Sequence, residues 1–318
     1  MARYILWRAV IAVPVLLGVT VVAFFVISVA PGDPVDFISA GGEMDQQARA
    51  KLRESFGLDK PVLVRYVAWL TNIAQGNLGR SYVNSMPVSL RIGERIAATF
   101  TLMLSALVVA FIVAVPIGAL SALRRYSVLD YASTPFALLG VSVPVPFLGL
   151  AAIYVISLKL NVLPTGGLST AGTDFSLGDR LSHLILPAAV LGLHELGSIM
   201  RYTRSSVLEV VEQDYVRTAR AKGLPAIAVV VKHVLRNALL PLVTLVGLSL
   251  PRLLGGAIIA EQIFQWPGMG RLAIEAILAR DYPVLMGLNL MTAVLVLIGN
   301  LVADVTYAFV DPRVRLSR

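Results

Sequence analysis

The sequence predicts an all-α integral membrane protein of about six transmembrane helices, and three observations carry that expectation. Only 14% of its 318 residues are charged and 57% are hydrophobic, against the roughly 25% charged that is usual in soluble domains. The charges cluster, leaving long uncharged stretches, several of them exceeding the roughly 20 residues needed to cross a hydrocarbon core of about 30 Å. Basic residues also crowd into alternate segments between those stretches, the asymmetry expected of a multi-pass chain. The mean hydropathy is +0.79.

Ala9 to Ala30 holds no ionisable residue over 22 positions and reads as the first span. Arg3 and Arg8 before it and Ser28-Val29-Ala30 at its end would also suit a secretory signal. The stretch is longer than the roughly 7–15 apolar residues of a signal core, so residues 1–30 are read as a retained anchor.

Residues 31–95 form the one sizeable outer loop, with turn signals at Pro31-Gly32-Asp33-Pro34, Gly41-Gly42, Gly57 and Gly76. Within it, Pro61 to Gln75 sets Tyr66, Leu70 and Ile73 on one face at helical spacing, with Trp69 alongside. An amphipathic helix against the membrane surface fits this pattern. A small packed cap with no binding role fits it equally.

Residues 96–310 read as a five-helix core. Ile96 to Leu123 and Tyr131 to Leu158 are uncharged over 28 positions each and give the second and third spans. Asn237 to Ala260 and Pro283 to Val310 are as apolar, with one charge apiece, Arg252 and Asp304, and give the fifth and sixth. The fourth, about Leu184 to Met200, is short and interrupted by His194 and Glu195, and topology supports it. With six spans and a cytoplasmic N-terminus, 14 basic residues fall in cytoplasmic segments and 4 in the outer loops near 159–183 and 261–282. Dropping the fourth span would put the basic stretch 201–236 outside, against the positive-inside rule. The expected orientation is N-in and C-in, with 311–318 a cytoplasmic tail.

The net charge of +8 reports this orientation rather than nucleic-acid binding. The absence of cysteine excludes disulfides, thiolate metal sites and cysteine nucleophiles. No phosphate-cradling Gly-x-x-x-x-Gly-Lys-Ser/Thr loop, His-Glu-x-x-His or Gly-x-Ser-x-Gly occurs, which speaks against ATP binding or catalysis by this chain.

The cytoplasmic loop 201–236 contains Asp214-Tyr-Val-Arg-Thr-Ala-Arg-Ala-Lys-Gly223-Leu-Pro225. Asp214 is a suitable N-cap, Lys222 suits a last turn, and Gly223 with Pro225 is a strong stop. The resulting helix is about 13 Å long at 1.5 Å per residue. A helix that short is marginal alone in water, so it needs a surface to dock on. Tyr215, Ala219 and Leu224 beside Arg217, Arg220 and Lys222 suit a groove with an apolar floor and acidic or polar rims.

The run Asp214 to Gly223, followed by Arg236-Asn-Ala-Leu-Leu-Pro241, resembles the cytoplasmic loop signature of binding-protein-dependent ABC importer permeases. Further stretches resemble the first permease of the dipeptide, oligopeptide and nickel class. They are Ala30-Pro-Gly-Asp-Pro34, Gly57-Leu-Asp-Lys-Pro61, Gly76-Asn-Leu-Gly-Arg80, and Gly256 onward through Glu261, Phe264, Trp266-Pro-Gly268 and Gly270-Arg271. The likeness runs end to end, although the 159–183 loop is shorter than in some dipeptide permeases.

The resemblance implies a type I importer in a bacterial inner membrane. Its parts would be two permeases, the second a different chain, two cytoplasmic ATPases that bind the ATP and magnesium, and an extracytoplasmic substrate-binding protein. It implies that Asp214, Tyr215, Arg217, Thr218, Ala219, Arg220, Lys222, Gly223 and Leu224 form the coupling helix that docks on an ATPase. Cofactors and metals are expected in the partners rather than in this chain. Peptides are the first expected cargo, with nickel chelates, glutathione and opines as alternatives; an ion-coupled secondary transporter is the rival class.

Ionisable groups inside spans are costly and are functional candidates by default. Arg252, after Pro251, is a candidate for steering an anionic group along the pathway, against an internal pair with Glu195 or Asp304. His194 with Glu195 is too sparse for a metal site and reads as a structural contact. Glu261, ahead of Phe264 and Trp266, suits either a gate contact or the end of a span anchored at the interface.

Overall fold

Apolar sequence at helical spacing becomes helix almost throughout, and the computed structural model describes residues 2–39, 44–239, 242, 249, 254 and 257–310. The chain divides into two units, one of Met1–Thr99 with Pro267–Ile298 and one of Phe100–Trp266 with Gly299–Arg318. Among the described residues four helices are long and apolar enough to cross a membrane: Leu6–Val29, Val88–Leu123, Leu177–Val211 and Tyr282–Val302.

In the first unit, α1 (Ala2–Val29) is followed by α2 (Pro34–Ser39), α3 (Gln46–Ser55) and α4 (Val62–Ala74). The start of α5 (Val88–Leu123), α13 (Met269–Leu278) and most of α14 (Tyr282–Val310) complete it. Asp45 caps α3, its carboxylate accepting from the Ala48 N–H, which satisfies one of the orphan donors of a first turn. The core is built from Val88 and Ile92 of α5, Met269, Leu272 and Ala276 of α13, and Val284 and Leu288 of α14.

The face of α4 read from sequence forms, but it turns inward. Tyr66 packs edge-on against Phe24 of α1 with ring centroids 5.3 Å apart, its hydroxyl lies 3.1 Å from that of Thr20, and Trp69 flanks the same ring at 6.4 Å. Leu63, Val64 and Val67 are the large apolar residues of α4 left exposed. The aromatic face therefore holds α4 to the first span.

In the second unit the third span is broken. α6 (Val128–Ser142) stops ahead of Pro144, and α7 (Val145–Ala152) restarts and runs on as a π-helical turn, Ile153–Lys159. Pro144 has φ −59° and ψ 139°; proline lacks the N–H that would continue the ladder and holds the preceding residue out of helical geometry. α8 is Leu177–Val211, far longer than the 184–200 stretch that hydropathy suggests. Its best window averages only 1.4 in hydropathy, against 2.9 for α1, but 72% of that window is buried against 11% in α1. A helix shielded by protein needs less apolar surface than one shielded by lipid.

Close approach makes that burial possible. A Cβ on Gly140 of α6 would lie 2.1 Å from the Leu193 carbonyl oxygen, and one on Gly192 would lie 2.7 Å from that of Ala106 in α5. Glycine at both positions lets the backbones of α5, α6 and α8 meet.

Beyond α8 come α9 (Asp214–Ala221), α10 (Ala226–Val229), a π-helical turn (Val230–Leu235), α11 (Arg236–Ala238) and α12 (257–263). Most of the expected fifth span, with Arg252, lies outside the described residues, as does the tail 311–318.

Candidate functional site

The short helix forms where expected. α9 begins at Asp214, but the capping position belongs to Gln213, which makes no side-chain cap bond. Asp214 instead sits in the first turn, where a carboxylate favours the positive end of the helix dipole, 3.7 Å from Arg217. The C-terminus closes as a Schellman motif: Gly223 N–H donates to the Arg220 carbonyl at 2.9 Å and Leu224 N–H to that of Ala219 at 3.4 Å. Gly223 lies at φ +76°, a conformation that L side chains resist.

The docking surface for its inner face is the protein itself. Val216 and Ala219, three residues apart, are buried against Ala119 and Ala122 at the end of α5, Val207 of α8, Val229 of α10 and Val234 of the π-helical turn after it. Burying a valine contributes about 1.5–3 kcal/mol, which offsets the weakness of so short a helix. Ala219 is thus a core residue rather than part of an outward docking face. Asp214, Tyr215, Arg217, Thr218, Arg220, Lys222, Gly223 and Leu224 are all exposed. Tyr215 and Leu224 are each 43% exposed and Ile227 is 79%, so the outer face offers apolar side chains among three cations. Ile227 escaped the sequence reading; its signal is a lone bulky residue in the turn after Pro225.

Beneath this platform lies a polar cluster. Arg204 of α8 grips Asp130 of α6 with both prongs, Nε to Oδ1 at 2.7 Å and Nη2 to Oδ2 at 3.0 Å. Ser121 of α5 donates to the same carboxylate at 2.6 Å and the Tyr126 N–H at 3.1 Å. The Arg204 and Ser121 hydrogen bonds hold the Asp130 carboxyl well below the usual carboxylate range. One buried acid therefore ties three helices together. The local signal is Ser127-x-x-Asp130, a capping-box spacing in which the Asp130 N–H donates to Ser127 Oγ at 3.3 Å.

Three of the four pathway candidates, His194, Glu195 and Glu261, lie among the described residues. Glu195 is buried and accepts a hydrogen bond from Ser249 Oγ at 3.1 Å. The buried Nδ1 of His194 has no hydrogen-bond partner among the described residues, and the hydrogen bond that Glu195 accepts comes from Ser249. Glu261, Phe264 and Trp266 are all buried, at 1% exposure or less. Trp266 N–H donates to the Glu261 carbonyl at 2.9 Å and Gly167 N–H to that of Phe264 at 2.8 Å. Phe264 and Trp266 therefore pack inside the protein rather than anchoring at a lipid interface. Arg252 lies outside the described residues.

In the first unit, Asp281 is also fully buried, accepting from Ser81 Oγ, from the Tyr82 N–H at 3.0 Å and from Arg91 at 3.2 Å. Burial pushes the Tyr82 hydroxyl up to about 12, keeping it protonated.

Comparison with known proteins adds sequence and fold. Residues 114–316 match the family described as binding-protein-dependent transport system inner membrane component, and residues 1–104 match its N-terminal counterpart. The oligopeptide transport system permease protein AppB of Bacillus subtilis is 45% identical over 99% of both chains. The dipeptide transport system permease protein DppB of Escherichia coli is 38% identical, again over 99% of both, and a putative peptide permease of Brucella suis is 47% identical over the whole of each. The inward-facing MetNI methionine ABC transporter is similar in fold, with a TM-score of 0.56 at 17% identity, over 69% of this chain and 96% of that one.

Proposed function

The chain belongs to the family of binding-protein-dependent transport system inner membrane components, and from that premise we propose that it forms half of a peptide translocation path driven by ATP hydrolysis in partner subunits. It is a multi-pass permease subunit of an ABC importer, with the type I importer permease fold. The names of its relatives support peptides as cargo ahead of nickel chelates, glutathione or opines.

The observation that carries the coupling proposal is α9. Its inner face is buried in its own chain through Val216 and Ala219, while Tyr215, Leu224, Arg217, Arg220 and Lys222 stand outward. A short helix fixed from behind and amphipathic in front suits a lever on which an ATPase pushes. Two ATPases, a second permease of different sequence and an extracytoplasmic substrate-binding protein complete the assembly. ATP and magnesium bind to the ATPases. The basic bias supports N-in and C-in, which puts α9 on the ATPase side. Arg252, His194, Glu195 and Glu261 remain candidates for the pathway or its gate, and Arg252→Gln should slow uptake without loss of assembled complex.

Purification from membranes tests the reading directly. An ATPase subunit should co-purify, and reconstituted vesicles should take up peptide only with ATP and loaded binding protein. Uptake that persists without the ATPase and follows an ion gradient would overturn it in favour of a secondary transporter.

A further inference from the structure

The first unit holds a cavity of about 580 Å³ walled by α4, the turns on either side of it and the start of α14, within the 300–1,000 Å³ common for small-ligand sites. Its charge has one sign. Lys60, Arg65 and Arg80 line it, and no aspartate or glutamate does. Elsewhere in the unit Arg49, Arg53 and Arg91 each face a carboxylate, from Asp36, Asp33 and Asp281. Among the described residues, none of the three cavity cations forms an ion pair. Asp281, the acid behind the wall, is already engaged by Ser81, Tyr82 and Arg91.

The remaining wall is not that of a plain inorganic-anion site. Phe56 and Tyr82 stack at 4.0 Å between centroids, and Asn72 and Asn77 supply amide groups. The Arg65 guanidinium is held 5.9 Å above the Phe24 ring, which fixes its fork in place. Planar guanidinium groups match a carboxylate, side-chain amides match peptide groups, and flat apolar walls match side chains. We propose that this cavity binds a short peptide through its terminal carboxylate, with Arg65, Lys60 and Arg80 as the anion-binding groups. The inference rests on the reading of the chain as a peptide permease and adds a site in the first unit, on α4 and its flanking turns.

The test uses the assembled importer in nanodiscs of neutral lipid, titrated calorimetrically with trialanine and with trialanine amide. The free acid should bind about tenfold more tightly than the amide, the scale of one charge-assisted hydrogen bond. Arg65→Gln and Lys60→Gln should each remove most of that difference. Equal binding of acid and amide by the wild-type protein, a comparison that needs no variant, would overturn the proposal. So would wild-type discrimination in both variants, which would locate the peptide elsewhere, or displacement of the peptide by phosphatidylglycerol, which would assign the cavity to an anionic lipid. ATP-driven uptake by the same purified complex reconstituted into sealed vesicles with loaded binding protein separates the two readings. Discrimination without uptake removes the transport proposal and leaves the site; uptake without discrimination does the reverse.

Discussion

Arg204 and Asp130 lie 74 positions apart in sequence, and nothing in the pattern of either neighbourhood says that they meet. What hydropathy could not supply was the helix packing that brings α6 onto α8 at Gly140 and α8 onto α5 at Gly192. Truncating one member of a buried, hydrogen-bonded charge pair costs about 2–5 kcal/mol. Asp130 is nearly buried while the Arg204 side chain is 35% exposed, so Asp130→Ala is expected at the low end, about 2 kcal/mol, read as a lower melting temperature of the purified complex. The sign with pH follows from the depressed carboxyl. Its contribution is fully present above the ordinary aspartate value of about 4 and is lost only as pH falls through the lower folded value. The melting difference between wild type and Asp130→Asn should therefore stay constant from pH 8 to about 5. A difference that shrinks as pH drops from 8 towards 6 would show that another group controls this cluster.

Among the elements, α9 was the most legible and its orientation the least. A run bounded by Asp214 and Gly223 announces a helix and its stop, but a helix with Tyr215 and Leu224 on one side and Val216 and Ala219 on the other has two apolar faces. Only contact with the ends of α5 and α8 decides which is buried. Two substitutions separate the roles. Gly223→Ala forces a side chain into left-handed backbone with open space around it, so the cost is conformational, about 1 kcal/mol. It should weaken ATPase retention about fivefold, with Gly223→Asn milder, when co-purified ATPase is titrated against salt. Val216→Asp buries a charge in the cluster under α9 and should reduce the yield of folded permease itself. Tyr215→Ala should leave folding intact and lower transport; normal ATPase retention and normal uptake in that variant would remove the outer face from the coupling role. The fourth span teaches the complementary lesson: α8 reaches 35 residues because its polar stretch is covered by protein, and a window tuned to lipid exposure undercounts such a helix.

At the scale of the whole molecule, six hydrophobic stretches and their basic flanks argue for a topology, and the cysteine-free sequence makes that topology directly measurable. Val128 opens α6 and is 86% exposed, on what the charge bias makes the cytoplasmic side; Ala171 is exposed in the loop between the third and fourth spans. A single cysteine at Ala171 should react with a membrane-impermeant maleimide in intact spheroplasts, and one at Val128 only after permeabilisation. The discriminating power lies in α8, the span that hydropathy supports least. If α8 did not cross, 201–236 and α9 would share the side of Ala171, and a third probe at the exposed Gln213 would label in intact cells. Labelling of Gln213→Cys without permeabilisation would therefore sink the orientation and the ATPase-docking role of α9 together, because a helix outside the membrane cannot receive work from a cytoplasmic ATPase. Protection of Gln213→Cys until permeabilisation, with Ala171→Cys freely labelled, would fix α8 as a true span and leave the polar cluster at Asp130, which ties α5, α6 and α8 together, on the cytoplasmic side.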